Sequence, residues 1–248
     1  MINILIPLGG KSTFFDALEY QYPKPLIEIN GKPMIQLIIE NYNSLKEDKK
    51  FIFVVKKGDC AKFHIDDIIQ LLTNNNSKII KISENTKGAA CSALMAIEEL
   101  DNNYELIIAN GDQILDVDFG AVVKHFREAN SDAGVITFNS VHPKWSYIRL
   151  DSEGIVVETA EKRPISPHAI AGFYYFKKSQ EFIQAAYGSI SKDANVDGQY
   201  YIAPTLNELI LENKKIGFYK IENGAYHSFY SPKKVEEFEN KLKHNRPL

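Results

Sequence analysis

Four short segments of the chain combine residue types that bind phosphate, a divalent metal or a sugar. The first is Gly9-Gly10-Lys11, which follows a short apolar run ending at Leu8. Glycines directly after a strand let backbone N–H groups approach phosphate oxygens, and a lysine adds positive charge. The segment matches neither the Walker loop nor the G-x-G-x-x-G pattern of dinucleotide-binding proteins. Taken alone, it also fits a tight strand-to-helix turn without a ligand.

The second segment holds one lysine between two prolines, in Pro23-Lys24-Pro25. Because the prolines restrict the backbone on both sides, the ammonium group of Lys24 has little conformational freedom, which suits a phosphate contact. A rigid loop that carries a solvated lysine is the alternative interpretation.

The third segment, Asn110-Gly111-Asp112, follows a predicted central strand. A carboxylate in this place can bind a magnesium ion that phosphate oxygens bridge, and Mg²⁺ often takes only one or two protein carboxylates. We therefore predict that Asp112 is a metal ligand. The same tripeptide is common in turns, where the aspartate caps the next segment.

The fourth segment lies in the second half of the chain, where Glu161-Lys162 ends a predicted strand and Gly172 follows ten residues later. The glutamate can accept hydrogen bonds from sugar hydroxyls, and the lysine can bind the phosphate of the same ligand. An exposed ion pair of little energetic value is the alternative.

Strands and helices alternate through the first half. Predicted strands cover residues 4–8, 51–55, 78–82, 106–109 and 133–138, and predicted helices cover 34–45, 61–72, 88–100 and 119–129. The alternation predicts an α/β fold, a Rossmann-like three-layer α/β/α arrangement with a mostly parallel central sheet. Ligands on such sheets bind at the carboxyl ends of the strands, so the glycine turn and Asp112 should share one cleft.

The second half has shorter connections. Predicted strands cover 147–150, 155–161, 170–176 and 216–221, and predicted helices cover 178–186, 201–211 and 232–244. No linker or repeat interrupts the sequence. We predict one domain over residues 1–248. Its first half, at about 1–138, would bind a nucleotide, and its second half, at about 139–248, would bind a second substrate, the acceptor.

Composition narrows the class of protein. A formal net charge of -3, with 25% charged residues, argues against binding to nucleic acid or a membrane surface. Neither a membrane span nor a signal peptide is predicted, and the two cysteines show no zinc or redox spacing. We expect a cytoplasmic protein, with a homodimer as the default assembly.

Together, these segments resemble the sugar-phosphate nucleotidylyltransferases (NDP-sugar pyrophosphorylase-like proteins). Three further segments match: Gly31-Lys32-Pro33-Met34-Ile35, Gly88-Ala89-Ala90 and residues 200–209. The resemblance covers roughly residues 3–238. It implies a GT-A-like nucleotidyltransferase fold, a nucleoside triphosphate (NTP) and a small phosphorylated acceptor as substrates, and Mg²⁺ as cofactor. It also implies an NDP-sugar and pyrophosphate as products, made for surface (capsule) polysaccharide biosynthesis.

The resemblance also implies roles for single residues. The nucleotide would contact Leu8, Gly9, Gly10, Lys11, Lys24, Gly88, Asn110 and Gly111. The acceptor would contact Glu161, Lys162 and Gly172. Lys24, Asp112 and Lys162 would be the catalytic residues, and Asp112 would hold the metal.

Two positions depart from the family pattern. Phe14 stands where an arginine usually grips the triphosphate, and Ser228 stands where a second magnesium-binding aspartate is expected. Three alternatives therefore stay open: a cytidylyltransferase for a non-sugar phosphate, a catalytically silent nucleotide- or nucleotide-sugar-binding module, and a glycosyltransferase. The last is the weakest, because Asp116-Val117-Asp118 follows its strand several residues late. The sequence specifies neither the base nor the acceptor.

Overall fold

The computed structural model describes residues 1–10, 14–15 and 20–244. The strands in these ranges are β1 (Ile2–Pro7), β2 (Glu28–Ile29), β3 (Lys32–Pro33), β4 (Lys49–Lys56), β5 (Ser77–Ile82), β6 (Glu105–Ala109), β7 (Gln113–Leu115), β8 (Ala133–Asn139), β9 (Ser146–Leu150), β10 (Val156–Glu161), β11 (His168–Phe176), β12 (Ile216–Lys220) and β13 (Tyr226–Ser228). The helices are α1 (Met34–Asn41), α2 (Lys57–Phe63), α3 (Ile65–Leu72), α4 (Ala89–Leu94), α5 (Phe119–Glu128), α6 (Ser179–Ser191), α7 (Ile202–Leu211) and α8 (Pro232–His244).

One mixed sheet runs through both predicted halves of the chain. Its main path is β10-β9-β11-β6-β1-β4-β5, and β8 joins β11 to β12 beside this path. The strands β6, β1, β4 and β5 are parallel to one another, whereas β9, β10 and β11 pair antiparallel. The predicted fold class is confirmed: a largely parallel centre is flanked by helices, and the second half extends it with antiparallel strands.

The side chains of β1 show how the sheet builds two cores. Ile2, Ile4 and Ile6 face the cluster that includes α1, α3, α5 and α8, while Leu5 faces the cluster that includes α4, α6 and α7. This alternation follows from the two-residue period of a strand. Both faces are therefore covered by helices, and the free ligand-binding surface is at the carboxyl edge of the parallel strands.

Two predicted helices are interrupted. The helix predicted at 61–72 is two helices that meet at His64, whose left-handed backbone (φ 53°) ends α2 and starts α3. Histidine adopts this conformation more readily than most residues, so the break involves little strain. The helix predicted at 88–100 ends at Leu94, and Ile97–Glu99 continues as a 3₁₀ turn. None of the described helices is long and apolar enough to span a bilayer.

Strand β11 is irregular near the point where it passes the end of β6. The pairing of β11 with β8 shifts register between Ile170 and Tyr174, and Gly172 within this bulge has a positive φ of 57°. A side chain at this position would collide with Asn110, since a Cβ atom would lie 2.2 Å from its amide nitrogen. Glycine is therefore required at position 172 by backbone conformation and by close approach.

Candidate functional site

A cleft of about 520 Å³ opens at the carboxyl ends of β1, β4 and β6. Its walls come from the glycine turn after β1, the Pro23-Lys24-Pro25 loop, the start of α4 and helix α2. The end of β6 contributes Asn110, Gly111 and Asp112 to the floor. The glycine turn and the strand-end aspartate thus lie in one cleft.

The glycine turn is fixed by its two neighbouring strands. The backbone N–H of Leu8 donates to the carbonyl oxygen of Val54 at 2.7 Å. The Leu8 side chain packs directly against Gly111, where a Cβ atom would lie 2.2 Å from a Leu8 methyl carbon. A larger residue at position 111 would force the Leu8 side chain to move. Gly10 also lines the cleft; Lys11, predicted to bind nucleotide, lies outside the described residues.

Lys24 and Asp112 form an ion pair inside this cleft. Lys24 starts a short 3₁₀ turn directly after Pro23, and its ammonium nitrogen is 2.5 Å from Asp112 Oδ2. The side chains are 18% and 28% exposed, so water reaches both but the pair is shielded from bulk solvent. The loop that the prolines stiffen therefore holds a positive charge beside the strand-end carboxylate.

The backbone around Asp112 is held from both sides. Its carbonyl oxygen accepts a hydrogen bond from the N–H of Phe229 at 2.7 Å, and the N–H of Asn110 donates to Gly172 at 3.0 Å. Gln113, next in the chain, is buried and donates to the carbonyl oxygen of Ala171 at 2.5 Å. Sequence reasoning missed Gln113, because a glutamine after a turn carries no signal of burial.

Asp112 offers a carboxylate of the kind that binds magnesium. The described residues contain no group of three or more histidine, cysteine or acidic side chains that could enclose a metal. Mg²⁺ is usually held by one or two carboxylates and completes its shell with phosphate oxygens and water. Asp59 and Asp112 both line the cleft, and Asp112 is the one that follows a strand end beside the glycine turn, in keeping with that pattern. Asp112 is thus the described residue that would hold the ion.

Gly88 lies where the two halves of the chain touch beside the cleft. Its φ of 113° is unfavourable for other residues, and a Cβ atom there would lie 2.3 Å from the carbonyl oxygen of Tyr200. The backbone of Tyr200 accepts from Ala90 and donates to Lys87. Gly88 therefore permits close contact between the start of α4, whose Ala89 lines the cleft, and the segment before α7.

Glu161 ends β10 and is largely removed from water. Burial raises the pKa of its carboxyl group above the ordinary value, although a hydrogen bond from the Ser146 hydroxyl and the charge of Lys162 act in the opposite direction. Ser146 is directly opposite Glu161 in the β9–β10 pairing. The arrangement presents a carboxylate that is suited to accept hydrogen bonds in a protected place.

Lys162 follows Glu161 with a left-handed backbone (φ 55°). Its ammonium nitrogen is 3.1 Å from Asp197 Oδ2 and 5.0 Å from the centre of the Tyr201 ring. The hydrogen bond with Tyr201, followed by that with Asp197, raises the pKa of Lys162. This lysine is 39% exposed and its aspartate partner 75% exposed, so the pair lies in solvent.

The predicted acceptor residues do not line the cleft itself. In the sheet order, β10 is three strands from β6, and neighbouring strands lie about 4.8 Å apart, which gives about 14 Å between them. Gly172 contacts Asn110 in the cleft floor and is nearer. Glu161 and Lys162 are therefore at the same edge of the sheet as Asp112, but separated from it by β9 and β11.

The two departures from the family pattern lie close together. The Phe14 ring, 61% exposed, makes an edge contact with the Tyr230 ring at 5.5 Å. Ser228, two residues before Tyr230, pairs with Gln113 in the β7–β13 ladder and so adjoins Asp112. Ser228 thus occupies the place beside Asp112 where the resemblance predicts a second carboxylate, and it supplies only a hydroxyl group.

Comparisons with known proteins agree with this architecture. A protein of solved structure, a nucleoside-diphosphate-sugar pyrophosphorylase from Vibrio cholerae, superimposes with a TM-score of 0.81 and 22% identity, over 97% of this chain and 100% of that one. This likeness shows a shared fold.

Sequence relatives agree as well. The bifunctional protein GlmU of Methanococcus aeolicus is 27% identical over 219 residues, which are 86% of this chain but only 48% of that protein. The UTP–glucose-1-phosphate uridylyltransferase AglF of Haloferax volcanii is 24% identical over 97% of this chain and 96% of its own length. The chain thus spans about half of one relative and nearly all of the other.

The family assignment rests on a longer match. The model of the family described as nucleotidyl transferase matches residues 4–216, which include the glycine turn, Lys24, Asp112, Glu161 and Lys162. The resemblance predicted from the sequence is therefore confirmed, and the chain belongs to the nucleotidyl transferase family.

Proposed function

We propose that the protein couples an NTP to a sugar phosphate, or to a similar small phosphorylated acceptor, and releases pyrophosphate. The observation that carries this proposal is the Lys24–Asp112 pair, held at 2.5 Å in a cleft at the ends of parallel strands. Its position beside the glycine turn gives one place for phosphates, a cation and a metal-binding carboxylate.

In the proposed reaction, an acceptor phosphate oxygen attacks the α-phosphorus of the NTP. A new P–O bond forms as the bond to the bridging α–β oxygen breaks, and pyrophosphate leaves with that electron pair. The attacking oxygen is already ionised at neutral pH, so the protein needs no general base. Its contribution is positioning and charge neutralisation.

The resemblance and the positions of the residues in and beside the cleft suggest their roles. Lys24 would contact the phosphates, and the backbone N–H groups near Gly9 and Gly10 would support them. Asp112 would hold Mg²⁺, which when bound neutralises phosphate charge. Glu161 would accept hydrogen bonds from acceptor hydroxyls, and Lys162 would exchange Asp197 for the acceptor phosphate. The role in surface polysaccharide biosynthesis rests on the resemblance alone.

The test is a pyrophosphate-release assay with magnesium, each common NTP, and a panel of sugar 1-phosphates, polyol phosphates and amino-alcohol phosphates. We expect release with one NTP–acceptor pair. Lys24→Ala and Asp112→Asn should each lower the rate about 10²–10³-fold, as removal of other preorganised charged groups does. Lys57→Ala and Asp67→Asn are controls, because both residues are exposed and outside the cleft walls.

The panel also separates the alternatives. Release only with CTP and a non-sugar phosphate would identify the cytidylyltransferase. If no pair releases pyrophosphate but an NTP raises the melting temperature of the protein, the proposal is wrong and the chain is a silent nucleotide-binding module.

A further inference from the structure

Two lysines that face the cleft from the side of β4 have no role in the proposed reaction so far. Lys56 is the last residue of β4, and Lys62 is near the end of α2. In the parallel pairing of β1 with β4, Pro7 is opposite Val54, so Lys56 comes level with Gly9. Both lysines line the cleft that contains Lys24 and Asp112.

The cleft needs positive charge beyond Lys24. The triphosphate of an NTP carries about four negative charges near neutral pH, and the departing pyrophosphate keeps most of them. Lys24 is already paired with Asp112 at 2.5 Å. Among the described residues that line the cleft, the remaining side-chain cations are Lys56 and Lys62, and the remaining carboxylate is Asp59.

The charges of these two lysines are available to a ligand. Within the described residues, neither ammonium group lies at ion-pair distance from a carboxylate, although Asp59 is three positions before Lys62 in α2. Lys62 instead lies over the ring of Phe63, with 4.8 Å between the nitrogen and the ring centre. An aromatic face restricts an ammonium group without cancelling its charge.

The same ring connects Lys62 to the loop that carries Lys24. The rings of Phe63 and Tyr22 are 5.9 Å apart, and both residues line the cleft. Tyr22 directly precedes Pro23 and Lys24. The aromatic contact therefore joins the wall that holds Lys62 to the wall that holds Lys24.

We propose that Lys56 and Lys62 bind the β- and γ-phosphates of the NTP and the pyrophosphate that leaves. The inference rests on the proposed function, because it assigns these lysines to one substrate of that reaction. The acceptor phosphate is the other possible anion. The positions of the residues disfavour the acceptor phosphate. Lys56 and Lys62 lie on the β4 side of β1, whereas Glu161 and Lys162, which we assign to the acceptor, lie beyond β6 in the opposite direction along the sheet.

The test compares Lys56→Met, Lys62→Met and the double variant with wild type. Methionine keeps an unbranched apolar chain and removes the charge. Lys57→Met is the matched control, because Lys57 is exposed on the same helix and outside the cleft walls. Calorimetry would measure the Kd of magnesium pyrophosphate, and steady-state assays would measure KM for the NTP and for the acceptor separately.

We expect each single variant to raise the pyrophosphate Kd and the NTP KM about 5- to 10-fold, and the double variant about 30- to 100-fold, as lost charge-assisted contacts do. In the Lys56 and Lys62 variants, KM for the acceptor should stay within about twofold of wild type, since the acceptor contacts are untouched. In Lys57→Met, the pyrophosphate Kd and both KM values should also stay within about twofold of wild type. Lys56→Arg and Lys62→Arg should recover most of the affinity. The difference between wild type and double variant should shrink at high ionic strength.

The outcomes separate the inference from the proposed function. Turnover in the wild type with an unchanged double variant would overturn the inference and leave the function intact. Lysine-dependent pyrophosphate binding without turnover would support the inference and overturn the function. A rise in acceptor KM alone would assign the lysines to the other substrate, and a wild type that binds neither nucleotide nor pyrophosphate would overturn both.

Discussion

The two sides of the candidate site hold their charged groups in different ways. On the side where we propose that the NTP binds, Lys24 and Asp112 are mostly shielded and lie 2.5 Å apart. On the side where we propose that the acceptor binds, Lys162 and Asp197 are 3.1 Å apart and much more exposed. Exposed ion pairs contribute little stability and break easily, whereas shielded pairs with good geometry persist.

This difference suggests that the two sides respond differently when a ligand binds. The parallel strand ends and the stiff proline loop keep the Lys24–Asp112 pair in place before any ligand arrives, which is the preorganisation that charge stabilisation requires. Lys162 can exchange Asp197 for the phosphate of a ligand at small cost. We infer a preformed nucleotide side and an acceptor side that adjusts when its ligand binds.

Gly88 gives the largest expected effect, because the two sides meet there. Gly88→Ala should lower the free energy of unfolding by about 2–4 kcal/mol, since the new methyl group meets the Tyr200 backbone and alanine is strained at this φ. Urea denaturation measures the change. NTP and acceptor binding should both weaken in this variant, because the strain acts on the contact between the two sides.

The control for this glycine is Gly58→Ala. Gly58 is inside α2 with open space around its Cα, so alanine there should leave the stability unchanged or raise it by up to about 1 kcal/mol. If Gly88→Ala were as stable as wild type, the close contact between the sides would not exist as described.

A change at Lys162 gives the next largest expected effect. It tests directly whether the two sides bind their ligands separately. Lys162→Ala should raise the acceptor KM about 10- to 50-fold, because one charged contact is lost, and leave the NTP KM within about twofold. Arg163→Ala is the control, since the neighbouring Arg163 pairs with Glu158 on the surface. An equal rise in both KM values would show that the two sides are not separate.

Those parts of the site that depend on strand ends could be predicted from the sequence. The glycine turn and Asp112 each follow an apolar strand, and parallel strands end at one edge, so the cleft that Gly10 and Asp112 both line follows from the α/β pattern alone. The prolines beside Lys24 gave a second local signal. The fold class and the family are confirmed by the structure and the comparisons, while the roles of single residues stay predictions.

The missed residues depend on contacts between distant segments. Gln113 reaches Ala171, which is 58 positions away, and Ser146 donates to Glu161 across a strand pair. Local patterns do not encode such pairs. Lys56 and Lys62 were missed for another reason. In the sequence, a lysine after a strand or near a helix end resembles any solvated lysine, and these two are distinguished only by their position in the lining of the cleft.

Glu161 gives the smallest expected effect, one that depends on pH. Burial raises its pKa in the folded protein above the ordinary 4.5. Protonated Glu161 therefore contributes fully to the free energy of unfolding below the pKa that it has in the unfolded chain. This contribution is lost as pH rises through the higher pKa that it has in the folded protein. Glu161→Gln is neutral at every pH, so its melting temperature should match wild type near pH 4 and exceed it increasingly toward pH 7.

A matched control separates burial from charge. Glu158→Gln, on the same strand, loses ion pairs with Arg149 and Arg163 and should gain no stability relative to wild type at pH 7. A difference between Glu161→Gln and wild type that stays constant with pH would show that burial does not raise the pKa of Glu161. The acceptor side would then offer a second accessible carboxylate, and the contrast between a preformed and an adjustable side would depend on Lys162 alone.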